Sequence, residues 1–185
     1  YEAQGDLQGH QLFRTLFSSG KGKVAYQSGY RMGEIAFAAE DYAVAIQEYQ
    51  ATLDDFPKAE LRAELYLRLG EAIFALEDSS RYAEALAAFE LVRRESPSRK
   101  VEYKARLNSG HVLYAKGDIE GALRTYTGLL KESRFRPFEG QTRLAVGQYY
   151  QDRHLLDEAL DEYEQVRDDF PQSEASAMAL YRTAL

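Results

Sequence analysis

Four similar patterns of residues recur at nearly constant spacing along this chain of 185 residues. Each pattern contains a glycine, a small residue, an aromatic residue and a proline, always in this order. The four sets are Gly33, Gly70, Gly110 and Gly147; Ala45, Ala85, Ala122 and Ala159; Tyr49, Phe89, Tyr126 and Tyr163; and Pro57, Pro97, Pro137 and Pro171. A pattern that recurs at a nearly fixed spacing is typical of repeat architectures, in which one supersecondary unit is stacked several times.

The spacing between the patterns is regular enough to locate one insertion. Each alanine precedes the next glycine by 25 residues, as from Ala45 to Gly70, and the same rule predicts the small residue Ala184. Each glycine precedes the alanine of its own pattern by 12 residues, except in the second pattern, where the distance is 15. We therefore predict a three-residue insertion within 76–82, between two helices, where extra length costs least.

The residues between these positions predict helices and no β-strand. Before each proline, apolar residues recur at steps of three and four, which gives each helix one buried stripe. The stripes are Tyr42, Ala45, Tyr49, Leu53; Tyr82, Ala85, Phe89, Val92; Ile119, Ala122, Tyr126, Leu129; and Leu156, Ala159, Tyr163, Val166. In each stripe the alanine lets two helices approach, and the aromatic residue fills the space beyond it.

Short polar residues, prolines and glycines predict the helix ends and crossings. Helix N-caps are expected at Asp41, Ser80, Asp118, Ser98 and Ser173, whose side-chain oxygens can accept from the free amides of a first turn. The four prolines are expected to end the second helix of each repeat. Glycine inside a helix costs about 0.5–1 kcal/mol relative to alanine, so the recurring glycine predicts a neighbouring helix backbone close by.

The order of these residues resembles the tetratricopeptide repeat (TPR), a helix–turn–helix unit of about 34 residues. The best matches are Leu69, Gly70, Phe74, Ala85, Phe89, Pro97, and Gly147, Tyr150, Ala159, Tyr163, Pro171. The spacing here is mostly 37 residues, and the family's early tryptophan position holds Gly29, Tyr66, Arg106 and Arg143. The resemblance implies an all-α, right-handed α-solenoid of stacked antiparallel helix pairs, with about 4.5 repeats and about ten helices or helix fragments.

A solenoid is one continuous object, so we expect a single domain over 1–185. Residues 1–22 are predicted to be the tail of a preceding repeat, with Gly9, Phe13 and Leu16 or Phe17 packed and a turn over 18–22. The following repeats are predicted at 23–57, 58–97, 98–137 and 138–171, and residues 172–185 as the first helix of a fifth. Because Tyr1 is not an initiator methionine, we also expect the chain to be a fragment of a longer protein.

Composition argues against several kinds of function. The absence of cysteine excludes disulfides, thiolate metal sites and thiol nucleophiles. A net charge of −7 argues against a surface that binds nucleic-acid phosphates, and no apolar stretch approaches the roughly 18 residues of a membrane helix. His10, His111 and His154 lack metal-ligand spacing, and no phosphate loop, nucleophile elbow or HExxH sequence is present. We therefore predict no catalytic residue, no metal and no cofactor.

The resemblance implies that the first helices line a concave groove that holds an extended peptide or a partner helix. Carried over position by position, the groove is lined by Tyr30, Arg31, Glu34, Phe37, Leu67, Arg68, Glu71, Phe74, Lys104, Leu107, Asn108, His111, Tyr114, Leu144, Gln148 and Tyr181. The alternative is that these side chains only pack between neighbouring helices. Likewise, Arg31 with Glu34 and Arg68 with Glu71 are expected to form ion pairs or to recognise a charged ligand.

A second mechanism of the family fits this sequence poorly. TPR proteins that bind the acidic C-termini of chaperones hold the terminal carboxylate with lysine, asparagine and arginine side chains. Lys104 and Asn108 occupy two such positions, but Leu67, Glu71 and Gln141 occupy others and supply too few donors. We therefore do not predict a chaperone clamp.

The resulting hypothesis is a non-catalytic scaffold with a protein or peptide partner, no nucleic acid and no direct membrane insertion. The alternative is a structural spacer or an oligomerisation segment of a larger protein, with homo-oligomers formed through the terminal repeats. The segment from Pro171 to Ala175 resembles repeats of bacterial outer-membrane assembly and cell-division-associated envelope proteins. That resemblance favours the cell envelope over the cytoplasm by a small margin.

Overall fold

The computed structural model describes residues 2–19, 22–95 and 97–184, with the side chains of 2–8 and 10 excepted. This part of the chain forms ten α-helices and contains no β-strand. The helices are α1 (Glu2–Ser19), α2 (Lys23–Ala38), α3 (Tyr42–Asp55), α4 (Arg62–Ala75), α5 (Tyr82–Arg94), α6 (Arg99–Ala115), α7 (Ile119–Leu130), α8 (Glu139–Asp152), α9 (Leu156–Asp169) and α10 (Glu174–Thr183). The predicted all-α fold of helix pairs is confirmed.

The chain divides into two compact units, Tyr1–Ala105 and Arg106–Leu185, and the division falls within α6. In the first unit, α1 packs on α2, α2 on α3, α3 on α4, and α4 on α5. In the second unit, α7 packs on α8, α8 on α9, and α10 on both α8 and α9. Each unit is therefore built from helices that pack on their neighbours in the sequence. The repeat boundaries proposed above stay predictions.

Aromatic rings cover the recurring glycines. A Cβ atom added to Gly70 would lie 2.5 Å from the ring of Phe89, and one added to Gly33 would overlap the ring of Tyr49. The same relation joins Gly110 to Tyr126 and Gly147 to Tyr163. The prediction of a close approach at these glycines is confirmed, but the prediction that a helix backbone comes close is wrong. The ring of the second helix fills the space that a Cβ would occupy.

The small residues and the aromatic residues of the stripes form the core. The four alanines at the crossings are at most 3% exposed, and the four aromatic side chains at most 2%. The first residue of each stripe is less buried, and Leu156 of α9 is 57% exposed. The predicted buried stripe is therefore confirmed from its alanine onward.

Four of the five predicted N-caps are confirmed. The side chains of Asp41, Asp118, Ser98 and Ser173 each accept a hydrogen bond from the backbone N–H three residues later, at 3.0–3.4 Å. The prediction for Ser80 is wrong. Residues Ser79–Arg81 form a 3₁₀ turn capped by Asp78, and α5 begins only at Tyr82. This turn lies within the predicted insertion, so it takes up the extra length of the second repeat.

Three prolines follow the second helices as predicted, and Pro137 does not. Pro57 and Pro171 lie two residues after the last residues of α3 and α9, and Pro97 lies three after the end of α5. In contrast, α7 already ends at Leu130, and Pro137 lies inside a 3₁₀ helix, Ser133–Phe138. The fixed φ of proline is compatible with that helix, which is held in the core by Phe135, 1% exposed.

Helix α1 packs on α2 through the predicted residues near its end. Phe13, Leu16 and Phe17 are half-buried, and the ring of Phe17 lies against Gly29 and contacts Phe56 edge to face at 5.6 Å. Gly9 is not a crossing, because a Cβ added there would have no neighbour within 4 Å. The predicted turn over 18–22 is wrong for Ser18 and Ser19, which belong to α1, and residues 20 and 21 lie outside the described residues, as do the side chains of residues 1–8 and 10.

Candidate partner-binding face

In the first unit, the predicted groove residues lie on α2, α4 and the beginning of α6. Arg31 and Lys104 are exposed, whereas Leu67 is buried, with 5% of its surface exposed. The others are half-buried: Tyr30, Glu34, Phe37, Arg68, Glu71 and Phe74. The face that a partner could reach in this unit is therefore formed by aromatic and charged side chains, and Leu67 belongs to the core.

Arg68 connects the first helices of two successive repeats. Its Nε donates to Oε1 of Glu34 on α2 at 2.6 Å, and its Nη1 donates to Oε2 of Glu71 on α4 at 2.8 Å. The hydroxyl of Tyr49 donates to the same oxygen of Glu34 at 2.6 Å. One guanidinium, two carboxylates and a phenol thus form a network across α2, α3 and α4.

The two predicted ion pairs have different outcomes. The pair of Arg68 with Glu71 is confirmed. The pair of Arg31 with Glu34 does not form, because Glu34 binds Arg68 of the next repeat instead. Among the described residues, Arg31 has no ion-pair partner. Sequence spacing indicates partners on the same helix, whereas the packing of α4 on α2 brings Arg68 closer.

Burial and hydrogen bonding fix the charges of this network. Burial raises the pKa of Tyr49, and its hydrogen bond to Glu34 raises that pKa further, so the phenol stays protonated. Burial alone would lower the pKa of Arg68, but the hydrogen bonds that it donates to Glu34 and Glu71 outweigh burial and raise the pKa. The guanidinium of Arg68 therefore remains a cation beside Glu34 and Glu71.

The aromatic side chains of this face pack on the second helices of their own repeats. The rings of Phe37 and Tyr42 meet edge to face at 5.2 Å, and those of Phe74 and Tyr82 at 5.6 Å. The guanidinium carbon of Arg68 lies 4.2 Å from the centre of the Phe37 ring, a cation–π contact. These rings are thus held by neighbours on one side and partly exposed on the other.

In the second unit, the predicted residues follow the same pattern of partial burial. Leu107 is buried, at 8% exposure, and Tyr181 is exposed, at 59%. The rest are half-buried: Asn108, His111, Tyr114, Leu144 and Gln148. Leu144 packs against the cluster of Ala159, Tyr163, Val166, Ala175 and Ala179. As in the first unit, one leucine of the predicted groove, here Leu107, belongs to the core.

Two polar contacts of the first unit have counterparts here. Arg182 on α10 donates to Gln148 on α8 at 3.5 Å, over the same sequence separation of 34 residues as Arg68 and Glu34. The hydroxyl of Tyr126 lies 2.9 Å from Nδ1 of His111, which follows Gly110 as Glu34 follows Gly33. Burial lowers the pKa of His111, so its neutral form is favoured.

Tyr114 lies further along the same face. Its hydroxyl donates to Oδ2 of Asp152 at 2.5 Å, and burial, with this bond, raises its pKa to about 12. Nothing in the sequence pattern indicated this contact, because the two residues are 38 positions apart. The bond joins the C-terminal turns of α6 and α8, which are the first helices of successive repeats.

The family model of the tetratricopeptide repeat matches the sequence over residues 30–100, 75–137 and 107–174. The chain belongs to the tetratricopeptide repeat family. Its TPR resemblance, inferred above from the glycines, alanines, aromatic residues and prolines, is thereby confirmed. No curated protein sequence matches the chain.

Solved structures share the TPR fold at low sequence identity. The crystal structure of MamA superposes with a TM-score of 0.67 at 17% identity, covering 90% of either chain. TTC0263, a thermophilic TPR protein of Thermus thermophilus, gives 0.65 at 18% identity, covering 97% of this chain and 100% of the other. The Rap conjugation gene regulator of plasmid pLS20, solved with the Phr* peptide, gives 0.65 at 19% identity, covering 96% of this chain and 53% of its own.

Two arginines occupy the position where TPR sequences have an early tryptophan. Arg106 donates to Oε1 of Glu132 at 2.5 Å. Arg143 donates to Glu139 at 2.8 Å and to Glu162 of α9 at 2.9 Å. The bonds to Glu132 and Glu162 are charge-assisted, and they join the first helix of a repeat to the segment after its second helix or to the second helix itself. The sequence pattern did not indicate this use of the tryptophan position.

Within the described residues, no three histidine, aspartate or glutamate side chains are placed to hold a metal ion. The same part of the chain includes no helix that is long and apolar enough to span a membrane.

Proposed function

We propose that this TPR chain is a non-catalytic scaffold that binds a peptide or a helix of a partner protein on the exposed face of its first helices. The observation that carries the proposal is the network of Arg68, Glu34 and Glu71. It joins α2 to α4 and holds the partly exposed ring of Phe37 against the guanidinium of Arg68. A surface that is rigid before binding loses little conformational entropy when a partner binds.

The solved structures support a peptide ligand without identifying one. A Rap regulator with this fold was solved in complex with the Phr* peptide, and RapI superposes with a TM-score of 0.68 at 15% identity. At such identities the likeness concerns the fold, and the Phr* peptide belongs to the Rap regulator. One protein that shares this fold over 53% of its chain has thus been solved with a peptide bound.

The chemistry of the face suggests which peptide features it would recognise. In the first unit, Arg68 pairs with both Glu34 and Glu71, whereas Lys104 is exposed and has no ion pair among the described residues. Partly exposed aromatic rings favour apolar side chains of a ligand, and an exposed lysine favours a carboxylate. We therefore expect peptides that combine apolar and acidic residues.

A displayed peptide library selected on the purified chain tests the proposal. The best peptide is titrated against Lys104→Glu, with Lys131→Glu, an exposed lysine directly after the second helix α7, as the matched control. Lys104→Glu should raise Kd by about tenfold, or ~1.4 kcal/mol, and Lys131→Glu should leave it unchanged. Equal effects of the two variants, with the helix content unchanged, would contradict binding on this face.

The terminal helices favour a second candidate function, a segment built into a larger assembly. Met178, Leu180 and Tyr181 of α10 are 41%, 57% and 59% exposed, an apolar surface that a further helix could cover. Light scattering over a concentration series tests whether two copies associate through this surface. If the chain is an oligomerisation segment, its average molar mass should rise with concentration. The cell-envelope location stays a prediction from the resemblance of the segment after Pro171.

A further inference from the structure

A pocket of about 460 Å³ opens between α1 and α2, and Leu61, the residue before α4, also lines it. Its walls combine apolar side chains with one exposed cation. They include Phe13, Leu16, Val24, Gln27, Tyr30 and Arg31. Val24 is 51% exposed although it is aliphatic, and Arg31 has no ion-pair partner among the described residues. The pocket is therefore an apolar seat with an unpaired guanidinium at its edge.

Further along the chain, a helix occupies the position that corresponds to this pocket. Helix α2 lies against α3 and α4, and two contacts hold it there. The ring of Tyr49 covers Gly33, and Arg68 binds Glu34, the residue that follows this glycine. The same pair of contacts recurs in the second unit, where Tyr163 covers Gly147 and Arg182 binds the next residue, Gln148. A first helix that is held in this way thus has a glycine followed directly by a residue whose side chain accepts a hydrogen bond.

Helices α1 and α2 provide both groups that make such contacts, an aromatic ring and an arginine. Phe13 precedes Tyr49 by 36 residues and lies on α1 as Tyr49 lies on α3. Arg31 precedes Arg68 by 37 residues and lies two positions before Gly33, as Arg68 does before Gly70. Both residues line the pocket. Phe13 is therefore placed to cover a glycine of a further helix, and Arg31 is placed to bind a hydrogen-bond acceptor on it.

We propose that this pocket binds an amphipathic α-helix of a partner protein, one that carries a glycine or alanine followed directly by glutamate or glutamine. The small residue lies under Phe13, the acceptor pairs with Arg31, and the apolar face of the helix covers Leu16 and Val24. The interface continues the helix stacking of the chain and adds charge complementarity at Arg31. Tyr30 and Arg31 belong both to this pocket and to the candidate face, whereas Phe13, Leu16 and Val24 line the pocket without belonging to that face. The proposal does not depend on the peptide-binding face proposed above.

A helical peptide with the sequence of residues 22–40 tests the proposal, because it carries Gly33 and Glu34. The peptide is stapled on the side away from these two residues, so that helix formation does not limit binding, and labelled for fluorescence anisotropy. Binding to the unaltered chain is compared with binding to Arg31→Glu, and to Arg124→Glu as a charge-reversal control on α7. We expect Arg31→Glu to raise Kd about tenfold or more and Arg124→Glu to leave it unchanged.

Exchanging the charges of Arg31 and of Glu34 in the peptide tests whether the peptide binds in this pocket or elsewhere on the chain. A peptide with Glu34→Lys should bind the unaltered chain weakly and regain affinity for the Arg31→Glu chain, and a peptide with Gly33→Leu should bind neither. The proposal is overturned if no stapled peptide binds, or if binding occurs without this exchange. Concentration-dependent dimers that Arg31→Glu abolishes would also overturn it, because the occupant would then be a second copy. If this helix-binding proposal fails, the binding of the library peptide and its dependence on Lys104 are unaffected, so the two proposals can fail separately.

Discussion

Replacing Gly70 with alanine should destabilise the protein, although alanine is the better helix former. In an exposed helix interior, the change from glycine to alanine is favourable by about 1 kcal/mol. At this position the new Cβ would lie 2.5 Å from the ring of Phe89, whereas carbon atoms in contact prefer about 3.5–4.0 Å. Since Phe89 is 1% exposed, its ring has little room to move away.

The expected magnitude follows from these opposing contributions. Forcing an extra methyl group into a packed core costs about 1–3 kcal/mol, so the net change in the free energy of unfolding is a loss of about 0–2 kcal/mol. Gly9 of α1 offers a matched control, because a Cβ there would meet nothing within 4 Å. Gly9→Ala should gain the helix preference alone, so the two variants should differ by about 1–3 kcal/mol.

Urea and thermal unfolding followed by circular dichroism provide the assay. For a chain of this size each kcal/mol shifts the melting temperature by about 2–4 °C, so the two variants should be well separated. A third variant, Gly70→Ala with Phe89→Leu, should recover part of the loss, because the shorter side chain leaves space for the methyl group. If Gly70→Ala is as stable as Gly9→Ala, the ring does not restrict this position and the packing argument is wrong.

Two further predictions concern the polar contacts. Arg68→Met should lower the free energy of unfolding by about 1 kcal/mol, because Glu34 and Glu71 lose their shared cation, whereas Arg31→Met should change it by less than about 0.5 kcal/mol in urea titrations. Burial lowers the pKa of His111 below its ordinary 6.5, so the unfolded state binds the proton more tightly and stability should fall as the pH drops through about 6.5. His111→Gln should remove that part of the pH dependence, and an unchanged profile would show that His111 does not cause it.

Local sequence patterns predicted the helices and their crossings. Glycine, alanine and aromatic residues occur at fixed spacing because each meets its partner within one repeat, so the close approach at Gly70 was predictable, although the sequence did not identify the ring of Phe89 as its neighbour. The N-cap at Asp118 was predictable for the same reason, since it contacts a backbone amide three residues away. Pro137 was misleading because α7 ends earlier, at Leu130, and a 3₁₀ helix intervenes.

Contacts between repeats were not predictable in this way. Glu34 has an arginine three residues before it, yet it binds Arg68, because the packing of successive first helices brings that guanidinium closer. The same geometry explains Leu67, which the family pattern places on the groove and the structure places in the core. A position in a repeat pattern gives the helix face, but the degree of burial depends on how the neighbouring helix packs.

The 3₁₀ turn at Ser79–Arg81 bears on how this scaffold could be engineered. The glycine-to-ring separation is 19 residues in the second repeat and 16 in the others, yet the ring covers the glycine in all four. The connection between α4 and α5 therefore already accommodates additional length without altering the crossing. It is the place to graft an epitope tag or a fluorophore-binding peptide, and a reporter there would be carried by the scaffold at a fixed site.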